Sequence, residues 1–283
     1  MRIEFWGTRG SIPSPGPNTI KYGGNTPCLT VTLKDDSLLI FDAGTGIRQL
    51  GLSLEEKREP IKVNIFITHS HWDHIQGVPF FTPAYHPQNE LTIMGCASVN
   101  QHIRKSLTDL MQQPYFPVGF ETLKASINFL DHFSGRFDVK QAQIEVIPLN
   151  HPGDGLGFKV IEDDCVFVFL TDNELNAPQM NTSYEQLVDF CSGADLLVHD
   201  AMYTKEEQEA RQGWGHSYYG DALQLAIDSQ VKQLALFHHE PEHNDAAIDA
   251  IVEDCHKIIQ TNSSDLICFG ARERQTVEIS ATA

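Results

Sequence analysis

Apolar residues in this chain come in short runs rich in β-branched and aromatic side chains, each stopped by Gly, Pro, Asn or Asp. That is the pattern of buried strands separated by turns. Runs at 2–7, 28–34, 37–42, 61–68 and 91–95 predict the strands of the first half. Further runs at 143–149, 157–161, 165–171, 195–199, 233–238 and 265–269 predict those of the second. Helical spacing falls between them. A short helix should begin at Asp42-Ala43-Gly44-Thr45-Gly46. Ser98 and Gln101 form a capping box ahead of a helix whose Val99, Ile103, Leu107, Leu110 and Met111 share one face. Ser183 with Gln186 caps another, to about residue 191, and Ser217 opens a third through Ala222, Leu225, Ala226 and Ile227. The last starts at Asn244 or Asp245, and its Ile248, Ile251, Val252, Cys255, Ile258 and Ile259 read as core.

Two segments fit neither pattern. Residues 7–18, Gly-Thr-Arg-Gly-Ser-Ile-Pro-Ser-Pro-Gly-Pro-Asn, are too rich in Gly and Pro for helix or ladder. They are a rigid connector, or a wall of an active site through Arg9 or Ser11. Gln113-Pro114-Tyr115-Phe116-Pro117 brackets two aromatics with prolines and cannot continue a helix. Such a stiff apolar loop serves as packing, a lid or a dimer contact.

The chemistry lies at strand ends. The run Val63-Asn64-Ile65-Phe66-Ile67-Thr68 leads straight into His69-Ser70-His71-Trp72-Asp73-His74. His69 and His71, two apart, can reach one ion, while Asp73 and His74 can face a second. Imidazole and carboxylate together suit Zn²⁺, with Mn²⁺ or Fe²⁺ as substitutes. His151 follows the strand ending in Pro148-Leu149-Asn150, and Asp172 follows Phe169-Leu170-Thr171. His238 follows Leu234-Ala235-Leu236-Phe237, with His239 directly after it.

The His69–His74 stretch resembles the metal signature of the metallo-β-lactamase superfamily in its dinuclear form, shared by ribonuclease Z, glyoxalase II and many phosphodiesterases. The resemblance implies an α/β fold, a four-layer αββα sandwich of two mixed sheets flanked by helices, built as one domain over residues 1–283. It assigns His69, His71 and His151 to one ion and Asp73, His74 and His238 to the other, with Asp172 bridging. His238 is preferred over His239 because it lies nearest the strand. Two ions about 3.5–4 Å apart can share a hydroxide, lower its pKa toward neutrality and clamp a phosphoryl oxygen. Asp42 could accept a hydrogen bond from a ligand histidine. His199-Asp200 and Gly213-Trp214-Gly215-His216 resemble two later motifs of ribonuclease Z, in which an acid orients a histidine that assists the leaving oxygen. Asp200 stands where that family usually carries Glu. Asp73, Asp200 and His216 are thus the expected catalytic residues. His199 reads as a structural strand-end histidine, and His86, His102, His132, His243 and His256 as surface residues without supporting neighbours.

Composition narrows the substrate. Thirty-eight acidic residues face 20 basic ones, for a formal charge of −18. No basic run exceeds two, so the Lys/Arg stripe that long nucleic acids require is missing. A small anion drawn in by the metals fits better. The segments Phe5–Pro13, Tyr22–Cys28, Asp42–Gly46, Pro114–Pro117 and His238–Pro241 resemble an arm-less, ribonuclease Z-like subfamily that includes the anti-Pycsar nucleases, which destroy 3′,5′-cyclic nucleotide signals. A dinuclear phosphodiesterase acting on such nucleotides is therefore expected, with Phe80, Phe81, Tyr115 or Phe116 stacking on the base. Three alternatives stand beside it. A ribonuclease Z-like RNA 3′-end nuclease would carry a tRNA-gripping arm between His151 and Asp172, where only positions 152–171 are available. A thioesterase or lactonase of the glyoxalase II type would lack the Asp200/His216 pair. A non-catalytic metal-containing binding protein would lack a ligand, yet all seven positions are filled. The resemblance also implies a homodimer. The apolar runs are too short to span a membrane and no signal peptide opens the chain. The six scattered cysteines read as reduced thiols, which places the protein in the cytoplasm.

Overall fold

The computed structural model describes residues 1–95, 103–131 and 135–280. In the first half β1 (Arg2–Gly7), β2 (Cys28–Thr32) and β3 (Leu38–Phe41) precede helix α1 (Gly46–Glu55). Then come β4 (Lys62–Ile67), the one-turn helix α2 (Trp72–Ile75), β5 (Glu90–Gly95), α3 (Ile103–Leu110) and β6 (Ser126–Asp131). The second half runs β7 (Gly135–Val139), β8 (Ala142–Pro148), β9 (Leu156–Glu162), β10 (Cys165–Leu170), α4 (Tyr184–Cys191), β11 (Leu196–Asp200) and α5 (Lys205–Ala210). It closes with α6 (Tyr219–Asp228), β12 (Gln233–Phe237), α7 (Asp245–Thr261), β13 (Ile267–Gly270) and β14 (Thr276–Glu278).

The strands form two seven-stranded sheets, ordered β14-β1-β2-β3-β4-β5-β6 and β13-β12-β11-β10-β9-β8-β7. Both are mixed. Strands β3 to β6 are parallel, and so are β10 to β13. The remaining pairs are antiparallel.

Three apolar clusters mark the boundaries of four layers. Between the sheets lie Phe5, Phe41, Phe66, Phe158, Phe167, Phe169 and Phe237. Phe41 stacks on Phe66 at 4.9 Å and meets Phe158 edge-on at 5.6 Å. Alternate residues of the same strands face outward: Ile40, Ile65 and Ile67 pack under α1 and α3. Val168, Leu197 and Leu236 pack under α4, α6 and α7. The central strands β3, β10, β11 and β12 thus bury both faces, which is why these segments read as continuous apolar runs rather than alternating ones. The expected αββα sandwich is the observed one.

Five elements were not anticipated, among them the one-turn helix α2, which carries Asp73 and His74 where a loop was expected. Strands β6, β7 and β14 lie at the outer edges of the sheets and carry few inward apolar residues. Helix α5 is six residues long and buries none of them; its capping box, Thr204 with Glu207, was its only marker. The Ser98/Gln101 capping box and Val99 lie outside the described residues, as do Cys96, His102 and His132. Ile103, Leu107 and Met111 are buried as their spacing requires. The other five cysteines are buried free thiols. No helix among the described residues is long and apolar enough to cross a membrane.

Candidate metal centre

The parallel strands β3, β4, β10, β11 and β12 all point their C-terminal ends at one edge of the sandwich. Ligand-type residues collect there. Asp42, Asp172 and His238 each leave a strand with left-handed backbone, at φ 60°, 53° and 59°. Asp and His tolerate this conformation better than most residues, and non-glycine strain of this kind clusters at functional sites. It turns each side chain inward instead of continuing the strand.

Two groups of side chains meet across Asp172. His69, His71 and His151 bring one ring nitrogen each within 4.8 Å of one another, and Asp73, His74, Asp172 and His238 do the same with one ligand atom each. The oxygens of Asp172 reach both groups: Oδ1 lies 3.7 Å from His69 Nε2, and Oδ2 lies 3.1 Å from His74 Nε2 and 3.4 Å from His238 Nε2. These residues fit metal ions. His69 Nε2 and His74 Nε2 are buried without a hydrogen-bond partner, and His71 Nδ1 faces His151 Nε2 at 3.1 Å. Buried polar atoms left in that state are costly unless a cation takes their lone pairs.

Two of the other ring nitrogens are pinned by the protein. His74 Nδ1 donates to Asp42 Oδ2 at 2.8 Å, the contact expected of Asp42, whose Oδ1 also accepts from the Thr68 amide at 2.8 Å. His151 Nδ1 donates to the Gly215 carbonyl at 3.1 Å. These bonds aim Nε2 of each ring into the centre. His239 points away: its Nε2 donates to the Ala271 carbonyl at 2.8 Å and its ring meets Tyr22 edge-on. His238, not His239, faces the cluster.

Electrostatics divide the histidines. Burial pushes His69 well below its ordinary value and His151 down to about 4, so both are neutral bases ready to bind a cation. Burial also opposes charge on His74, but the carboxylates of Asp172, Asp73 and Asp42 overcome it and raise its pKa. His216 behaves likewise. Burial is outweighed by Asp200, Asp172 and Asp73, and its pKa rises to about 9. His216 Nδ1 donates to Asp200 Oδ2 at 2.7 Å, while Asp200 Oδ1 accepts from the amides of Met202 and Ser217. Aspartate in place of glutamate does not loosen this pair.

A cavity of about 420 Å³ opens over the centre, lined by Ser11, Ser70, His71, Trp72, Asp73, Asp172, His216 and His238. None of the four expected base-stacking aromatics lines it. Phe81 is corrected outright: it is 1 % exposed in the core beneath α1, where it can meet no ligand. Phe80 and Phe116 pack edge-on at 5.8 Å, and Tyr115 is 87 % exposed beyond them. The aromatic at the cavity is Trp72, 77 % exposed and placed by the motif itself, a residue that sequence reasoning passed over. Of the two suggested wall residues Ser11 lines the cavity and Arg9 is fully buried behind it.

Three supporting residues also went unnoticed. Asn150 accepts from the amides of Asn181 and Thr182, and its own amide donates to Asn173 Oδ1 at 3.0 Å. Glu174 accepts from the amides of Gly213 and Gly215 and so holds the loop carrying His216. Each adjoins or nearly adjoins a recognised residue, which was the available signal. His243 is not an isolated surface residue: it is half-buried against Glu207 at 3.0 Å. His86 and His256 are exposed, paired with Glu55 and the Cys268 carbonyl.

Residues 38–239 match the family described as the beta-lactamase superfamily domain. The chain belongs to the metallo-β-lactamase superfamily of hydrolases. Ribonuclease Z of Staphylococcus carnosus is 25 % identical to it, over 99 % of this chain and 100 % of that protein. Human tRNase Z, short form, superposes with a TM-score of 0.67 at 20 % identity, covering 99 % of this chain and 100 % of the human one. Yeast PDE1 superposes with a TM-score of 0.63 at 16 % identity, covering 98 % and 99 % of the two chains.

Proposed function

We propose that this protein is a dinuclear metal-dependent phosphodiesterase that hydrolyses small phosphodiesters, with 3′,5′-cyclic nucleotides as the preferred class. The observation carrying this reading is the convergence of six ligand-type side chains around Asp172, beside a hydrogen-bonded Asp200–His216 pair. In it His69, His71 and His151 hold one ion, Asp73, His74 and His238 the other, and Asp172 belongs to both. Two divalent cations, with zinc preferred and manganese as substitute, would supply an acidified water and positive charge for the phosphoryl oxygens. The chain's own groups do the rest. Asp200 keeps His216 protonated and correctly turned, so the ring can give its proton to the departing alkoxide. Asp42 and the Gly215 carbonyl keep two ligand rings from rotating. Trp72 offers an aromatic face at the cavity for the base.

A small substrate is favoured by the charge of −18 and by what lies between His151 and Asp172. That interval holds β9, a tight turn and β10, all paired within the sheet, and no projecting arm. The relatives named ribonuclease Z favour a second reading, an RNA 3′-end nuclease. Either function suits a cytoplasmic enzyme, and a homodimer remains part of the proposal through the exposed Tyr115 loop. Purified protein with Zn²⁺ or Mn²⁺ should convert cAMP, cGMP, cCMP or cUMP to linear mononucleotides on chromatography, while His71→Ala should not. Cleavage of a 3′-extended tRNA precursor with no turnover of any cyclic nucleotide would reverse the order of the two readings.

A further inference from the structure

Among the described residues Arg9 is the largest fully buried side chain, and no carboxylate oxygen lies within ion-pairing distance of it. Its guanidinium instead collects backbone carbonyls. Nε and Nη2 donate to Gly23 at 3.3 and 2.9 Å, and Nη1 donates to Glu240 at 3.0 Å and His243 at 2.8 Å. One residue thereby ties the loop before β2 to the loop after β12. A planar, permanently charged fork suits this task, because it can satisfy several fixed acceptors at once.

The backbone around Arg9 reaches the centre directly. Residues 8–10 pair with the segment after β12: the His239 amide donates to Thr8 and the Gly10 amide donates to the His239 carbonyl, at 3.0 and 2.9 Å. A Cβ on Gly10 would fall 2.5 Å from His238 Nδ1, so the glycine backbone forms the wall on which that ring rests. One residue later Ser11, at φ 58°, turns its amide onto Asp73 Oδ2 at 2.8 Å. The same oxygen lies 3.2 Å from His238 Nε2 and 3.2 Å from His74 Nε2.

We propose that the Thr8–Ser11 segment, locked by Arg9, is a positioning device that sets His238 and Asp73 for the second cation. The inference rests on the reading of Asp73, His74, Asp172 and His238 as a metal site. It assigns no such role toward His69, His71 and His151, which the segment does not touch in any contact described above. Arg9 and Gly10 are therefore positioning residues, acting through His238 and Asp73 rather than on substrate.

The test is a titration of metal-free protein with Co²⁺ or Zn²⁺, followed by absorption and calorimetry, with thermal melting of the metal-free forms as the check on folding. Wild type should take up two equivalents. Arg9→Met and Gly10→Ala should each keep the first and weaken the second by about 10–100-fold, the usual effect of removing an outer support. Arg9→Lys should fall between, since a compact ammonium has three donors on one atom for the four bonds that the guanidinium makes from three separate nitrogens. Wild-type binding of both equivalents by a folded Gly10→Ala protein would overturn the inference while leaving the metal reading intact. Should Arg9→Met fail to fold, Gly10→Ala decides alone, because the added methyl meets the His238 ring first. Uptake of fewer than two equivalents by wild type would instead sink the metal reading beneath it.

Discussion

His216 and His199 lie on opposite sides of Asp200 and are held in opposite protonation states. His216 faces the Asp200 carboxylate and is raised to about 9, whereas burial lowers His199, whose Nδ1 donates to the Asp200 carbonyl at 2.6 Å. Two predictions follow from that contrast. His216→Asn should lower kcat about 10²–10⁴-fold on a diester with an alkoxide leaving group. It should lower it far less on a p-nitrophenyl diester, whose leaving group needs no proton. Equal losses on both substrates would remove the proton-donor role. For His199 the linkage runs the other way. The folded ring stays neutral while the unfolded one takes a proton below about pH 6.5, so stability is complete above that pH and is lost as pH falls. His199→Gln should therefore lose less stability than wild type between about pH 7.5 and pH 5 in urea unfolding, the group's share being at most ~1.4 kcal/mol per pH unit. Parallel losses would show that this ring does not titrate between the two states.

At the scale of elements, the core strands were legible because both of their faces are buried, so apolar residues run without a break through β10, Leu196–Val198 of β11 and Leu234–Phe237 of β12. Edge strands lack that signal. β6 was missed even though Ile127 and Phe129 do pack inward against the helical layer. Helices announced themselves by caps as much as by stripes. The Ser183 box is complete, with Ser183 accepting from the Gln186 amide and Gln186 returning the bond to the Ser183 amide at 2.9 Å. Ser183→Ala should cost about 1 kcal/mol in denaturant unfolding without changing the metal titration. A loss below a few tenths would mean that packing of Leu187 and Cys191 alone fixes the helix start. The stiff Pro114–Pro117 loop exposes Tyr115 and packs Phe116 on the core, and neither lines the cavity over the centre.

For the whole molecule, the two sheets bring the ends of five parallel strands to one edge, and the carboxylates of Asp42, Asp73, Asp172 and Asp200 are buried there together. Cations that bind this edge only in the folded state must stabilise it. Chelation should lower the melting temperature, and free Zn²⁺ at about 100 times its Kd should restore about 2.7 kcal/mol. A melting temperature indifferent to chelator would mean that the clusters hold no ion of consequence. The sequence by itself determined the local choices: strand or turn, the ligand-type residue at each strand end, and the spacing of His69, His71, Asp73 and His74 that groups these four directly after β4. Those choices depend on residue type and short-range pattern, which a sequence displays. Only the tertiary structure decided that Trp72 and not Phe81 meets the cavity, and that buried Arg9 braces the loops behind it. Those outcomes depend on how segments far apart in the chain pack together, and no local pattern encodes that.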